Sequence, residues 1–314
     1  MKLAAALVGA ACLFAAGAQA SPRGMLGIDY EHGRLAWFDP ATLTPLPGRK
    51  VAMRDAPCSW SLSADRAQLA YSDCNGKIMV VNARAMRRVA SMDVAGPRGS
   101  VENLVWLRPD RLIATSTSST LLVIDPRSRR PLRRVDLPGP VNGRALLADG
   151  RVAFLTSNAQ SFGPARITIA DSDGNVRVAV LDRITVGSVF DPGSDDPDGA
   201  MRTAGFAVDR AGGRAYVVSP VLLVAEVDLT TLEVTYHGAT RTLAKAIDGP
   251  SRSAAWLGGG LLAVSGSDYS TTGTGKDRRL VSRPYGLNIV DTRTWTVRLV
   301  DPTVEWFQQA AGLL

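Results

Sequence analysis

The side chains able to do chemistry are few and scattered. Among 314 residues there are only two histidines, His32 and His237. They fall in different segments and share no metal-ligand spacing, so they do not describe a zinc site. A serine hydrolase needs a histidine held by an oriented acid, and Glu31-His32 offers no nucleophile elbow. No Cys-x-x-Cys-His is present to attach haem, and no glycine-rich loop opens a helix. On this reading the chain has no catalytic residue, no metal and no cofactor.

Two polar clusters remain. Residues 191–199 carry Asp191, Asp195, Asp196 and Asp198. Their oxygens could hold Ca²⁺, but the spacing is not that of an EF-hand, and a solvated acidic loop is the better reading. Residues 265–284 carry Asp268, Tyr269, Lys276, Asp277, Arg278 and Arg279. Arginine forks and a tyrosine ring suit an anionic or glycan ligand.

The sequence also points to a compartment. Met1-Lys2 is followed by an apolar run from Leu3 to Ala16 and then Ala18-Gln19-Ala20. A short positive start, an apolar stretch and a small-x-small site make residues 1–20 a cleaved secretory signal. Residues 21–314 are then one domain, secreted or extracytoplasmic. No later apolar stretch approaches the length of a membrane span. Net charge is +7, with five Lys among 36 basic residues. The arginines are spread along the chain and form no basic stripe with interleaved aromatics, which argues against nucleic acid as a partner.

The elements that position these residues come from a repeat. Short apolar runs end in Asp or Asn and lead into a second run at Asp39, Asn82, Asp125, Asp171, Asp228 and Asp291. The spacings begin at about 43 residues and lengthen toward the C-terminus. Each Asp or Asn can cap the backbone N–H groups that follow it and close a tight turn, so these acids are structural. A second turn alternates with the first, at Asp65-Arg66, Asp110-Arg111, Asp149-Gly150-Arg151, Arg210–Arg214 and Gly258-Gly259-Gly260. Each unit is four short strands, A to D, and such units at 40–45 residues mark a β-propeller.

Residues 214–232, with Arg-Ala-Tyr-Val-Val followed by Ala-Glu-Val-Asp-Leu-Thr-Thr-Leu, resemble the YVTN-type repeat of β-propellers, which also includes amine-dehydrogenase-like propellers. The resemblance runs through nearly the whole mature chain. It implies an all-β fold of four-stranded antiparallel blades. Residues 24–53 supply three strands of a first blade, and Val304 onward reads as the strand that closes the ring, giving six blades. A seven-bladed chain cut short at its C-terminus is the alternative. For function the resemblance spans lactonases, dehydrogenase propeller subunits and non-catalytic surface proteins.

Two further expectations follow. A turn centred on Arg66 makes Cys58 and Cys74 face each other or nearly so, and directly opposed residues are within disulfide reach at about 4.5–5.5 Å between Cα atoms. Added length falls only in B–C connections (158–164, 265–284) and D–A connections (182–201, 239–251), which emerge on one face of a meander blade. That face should hold His32, Asp191, Asp195, Asp196, Asp198, Asp268, Tyr269, Arg278 and Arg279. The expected function is an exported, non-catalytic scaffold that binds an unknown protein or envelope ligand. A propeller enzyme, such as a lactonase or a dehydrogenase accessory subunit, is the rival reading.

Overall fold

The computed structural model describes residues 25–29, 33–39, 41–42, 44–53, 57–73, 75–94, 100–116, 119–158, 161–189, 200–219, 223–238, 251–273, 277 and 279–304. They form 25 strands in six antiparallel sheets. Blade 1 contains β1 (Met25–Asp29), β2 (Arg34–Phe38) and β3 (Pro45–Ala52). Blade 2 contains β4 (Ser59–Leu62), β5 (Gln68–Ser72), β6 (Lys77–Asn82) and β7 (Arg87–Asp93). Blade 3 contains β8 (Val101–Arg108), β9 (Arg111–Ser116), β10 (Thr120–Asp125) and β11 (Arg130–Asp136). Blade 4 contains β12 (Val141–Leu146), β13 (Val152–Thr156), β14 (Phe162–Ala170), β15 (Val176–Val189) and β16 (Ala200–Arg202). Blade 5 contains β17 (Gly205–Asp209), β18 (Arg214–Val218), β19 (Leu223–Asp228) and β20 (Val234–Gly238). Blade 6 contains β21 (Ser251–Gly258), β22 (Leu261–Thr272), β23 (Arg279–Pro284), β24 (Leu287–Asp291) and β25 (Thr296–Asp301).

Burial explains the residue types. The second and third strands are covered on both faces by neighbouring blades, so they read as unbroken apolar runs. All five residues of β13 (VAFLT) are buried, as are the middle four of β10 (LLVI). Outer strands face water and carry charge, as in β11 (RPLRRVD), which is mostly exposed.

Five apolar clusters fill the five junctions between successive sheets. Leu35 and Trp37 of blade 1 pack on Leu69 and Tyr71 of blade 2. The Trp37 indole also donates to the Ala83 carbonyl at 2.7 Å. Truncating so fully buried a tryptophan typically costs about 3–5 kcal/mol. The innermost strands β4, β8, β12, β17 and β21 lie side by side in that order. The described residues therefore form an all-β propeller of six blades.

The turns match the sequence pattern. Oδ1 of Asp39, Asn82, Asp125, Asp171, Asp228 and Asp291 accepts the N–H of Ala41, Arg84, Arg127, Asp173, Thr230 and Arg293 respectively, at 2.8–3.1 Å. One sequence expectation changes. Residues 265–284, expected to be a loop, are largely strand: β22 runs on to Thr272 and β23 pairs with it from Ser267↔Pro284 to Thr272↔Arg279. Gly273, just after β22, turns at φ +85°. The β4–β5 ladder ends at Ser59↔Ser72, directly after Cys58. Cys58 is disulfide-bonded. Residues 1–20, Cys74 and 305–314 lie outside the described residues.

Candidate functional site

Topology assigns every connection to a face. Consecutive antiparallel strands reverse direction, so A–B and C–D turns share one face and B–C and D–A connections share the other. On the B–C side, β14 and β15 extend past the blade through Phe162↔Gly187, Gly163↔Val186 and Pro164↔Thr185, and β16 adds outside them. The β22–β23 hairpin of blade 6 rises on the same side. Both outgrowths of the described chain thus belong to one face.

Each outgrowth has a built base. Below the β22–β23 hairpin, the Arg252 side chain is fully buried. It donates to the carbonyls of Ser251 at 2.9 Å and Ser267 at 3.3 Å, and pairs with Asp268 at 2.7 Å. Its guanidinium carbon lies 4.0 Å from the centre of the Tyr285 ring, a cation–π contact. Gly266 permits this closeness, because a Cβ there would sit 1.9 Å from the Ser251 carbonyl oxygen. Below the blade 4 extension, Arg166 donates to Asn158 Oδ1 at 2.6 Å, and Arg202 lies over the Phe162 ring at 4.7 Å. The two bases are linked. Thr203, just after β16, bridges to Ser251 at the start of β21, and their hydroxyls are 2.5 Å apart.

Further in, the innermost strands are laced by polar groups. Ser59 Oγ and Ser61 Oγ of β4 accept the N–H groups of Leu104 and Trp106 of β8, both at 3.0 Å. Arg144 of β12 reaches past β8 to β4. Its Nη1 donates to Asn103 Oδ1 at 2.7 Å and to Ser59 Oγ at 3.1 Å, and its Nη2 to the Trp60 carbonyl at 3.5 Å. Burial lowers the Arg144 pKa and raises that of Glu102, the neighbour of Asn103 on β8. On blade 2, Tyr71, Asp73, Lys77, Arg88 and Asp93 help line a mixed-charge cavity of about 410 Å³.

Of the residues singled out from sequence, Asp268 and Tyr269 lie on β22 and Arg279 on β23. Asp268 is committed to Arg252, and Arg279 is exposed. His32, Asp191, Asp195, Asp196, Asp198 and Arg278 lie outside the described residues. His237 stacks on Trp295 at 3.6 Å and bonds to Glu226 at 3.0 Å, while Glu226 also pairs with Arg214. Among the described residues no three His, Cys, Asp or Glu side chains converge as metal ligands. No helix among them is long and apolar enough to cross a membrane. Arg144 and Arg252 were missed in the sequence. The available signal was an arginine inside an innermost strand otherwise made of small and apolar residues.

No protein-family model matches this chain, and no curated protein matches it. Solved structures do. BamB from Moraxella catarrhalis superposes with a TM-score of 0.52 at 15% identity, covering 87% of this chain and 71% of that one. The structure of U3-55K gives 0.58 at 12% identity, covering 90% and 79%. The RRP9 WD40 repeats give 0.57 at 13% identity, covering 90% and 78%. At such identities the likeness speaks for the fold alone, and what it supports is a β-propeller repeat architecture.

Proposed function

We propose that this protein is an exported, non-catalytic scaffold that binds a protein or another ligand of the cell envelope through its B–C and D–A face. One observation carries the reading. Both strand outgrowths rise from that face, on a buried Arg252 in blade 6 and a half-buried Arg166–Asn158 bond in blade 4, while the opposite face is a set of short capped turns. Rigid bases under extended edges suit recognition, because little ordering entropy remains to be lost on binding. Export rests on the residues 1–20 signal, and a Cys58–Cys74 disulfide fits an oxidising compartment. The acidic residues 191–198 and the basic Arg278, Arg279 and Arg283 would supply polar contacts around the outgrowths.

The test is site-specific crosslinking in intact cells. A photo-reactive side chain placed at Arg283, on the exposed β23, should give discrete protein adducts. The same group at Arg293, in a C–D turn on the far face, should give none. Adducts from Arg293 alone would reverse the assignment of the face.

A further inference from the structure

The arrangement around Arg144 goes beyond a protein-binding scaffold and does not depend on it. Arg144 sits on the innermost strand of blade 4 and is half-buried. It spans the innermost strand of blade 3 to reach blade 2, which places its guanidinium beside the axis that these strands surround. All of its partners are neutral: Asn103 Oδ1, Ser59 Oγ and the Trp60 carbonyl. Glu102, in the bulge between Val101 and Asn103, forms no ion pair with Arg144.

The donor count leaves an open edge. Nη1 has two hydrogens and uses both, on Ser59 and Asn103. Nη2 makes one long bond at 3.5 Å. Nε has no hydrogen-bond partner among the described residues. The Nε–Nη2 edge is the planar fork that matches two oxygens of one carboxylate or phosphate group. Ser59 and Asn103 hold the other end of the guanidinium, so the fork is oriented before any ligand arrives. A half-buried cation with no opposing charge is costly, and an anion would offset that cost.

We propose that Arg144 forms an oxyanion-binding site at the propeller axis, taking a carboxylate or phosphate group bidentately on its Nε–Nη2 edge. Ser59 and Asn103 are positioning residues. Both stand near the start of their strands, so the site opens toward the face that carries the outgrowths.

The test uses the full mature chain at constant ionic strength, with chloride replaced stepwise by inorganic phosphate or by acetate. One arginine Nε–H resonance should shift saturably, and the melting temperature should rise with the same concentration dependence. Arg144→Lys keeps the charge and loses the fork, so the resonance should vanish and the midpoint should weaken by about tenfold or more. A response to phosphate alone assigns a phosphate group, and one to acetate assigns a carboxylate; either supports the site. If Arg144→Lys fails to fold, the wild-type titration decides by itself. No saturable Nε–H shift with either anion, or an equal melting response in Arg144→Lys, overturns the proposal.

Discussion

The two faces of the propeller solve the same problem differently. On the A–B and C–D face, each C–D turn uses one side-chain oxygen to cap the backbone that follows it. On the B–C and D–A face the answer varies. At the position where the second strand gives way to the B–C turn, blades 2, 3 and 5 carry Asp73, Ser116 and Ser219. These oxygens accept N–H groups of Lys77, Thr120 and Leu223 at 3.1, 3.3 and 2.9 Å, which closes a short turn. Blade 4 has Thr156 at that register and blade 6 has Gly266, and in both a strand pair extends past the blade. A local cap ends the ladder, and where the cap is missing the sheet grows outward.

Gly266 gives the sharpest way to break this contrast. Gly266→Ala should cost about 3 kcal/mol, because the new Cβ meets the Ser251 backbone oxygen, which no side-chain rotation can relieve. Gly258→Ala, in an A–B turn with open space around it, should cost about 1 kcal/mol from its positive φ alone. Urea unfolding of both variants measures the difference. Equal losses would mean that the close approach at the hairpin base is not special.

Arg252 comes next. Arg252→Leu leaves the Asp268 carboxylate without its partner and should destabilise by about 2–3 kcal/mol. The damage should concentrate in the β22–β23 hairpin. Amide hydrogen exchange at 267–272 should speed up more than exchange in β5 or β6. A uniform rise across all blades would instead make Arg252 a general stabiliser of the ring.

The blades and the capped turns were legible in the sequence because each repeat carries its own apolar runs and signals its turn with one Asp or Asn. The outgrowths were legible only as extra length. Whether extra length becomes a loop or a strand depends on pairing partners, and Ser267↔Pro284 is not a local signal. Arg144 escaped for a related reason. Its partners Asn103 and Ser59 are 41 and 85 residues away in sequence, so only the closed ring brings them together.

On the capped face the effects are smaller. Asp228 Oδ1 accepts the N–H groups of Thr230 and Thr231, both at 2.8 Å. Asp228→Ala removes both bonds from an exposed turn and should cost about 1 kcal/mol in urea unfolding. Binding that depends on the opposite face should be unchanged. A loss of binding with stability intact would bring this face into function and undo the comparison.

The smallest effect concerns charge on that same face. Asn82 does the capping in blade 2 with no charge, accepting from Arg84 and Ala85 at 3.1 and 2.9 Å. Geometry, then, is the main contribution of these turns, and the charge adds a pH-dependent part. The N–H donors of the turns hold Asp39 and Asp228 below their ordinary pKa of 3.8, and the Arg293 side chain brings Asp291 to about 2. A carboxyl with a lowered folded pKa binds protons more readily when unfolded. Its stabilisation is therefore full above pH 3.8 and is lost as the pH falls through the lowered folded value, which for Asp291 is about 2. Asp228→Asn keeps an oxygen where Asn82 has one. It should change neutral-pH stability by less than about 0.5 kcal/mol while flattening the acid limb of the stability curve. Urea midpoints measured from pH 5 down to the acid transition read this directly. An unchanged acid limb would show that the Asp228 charge contributes nothing that Asn82 lacks.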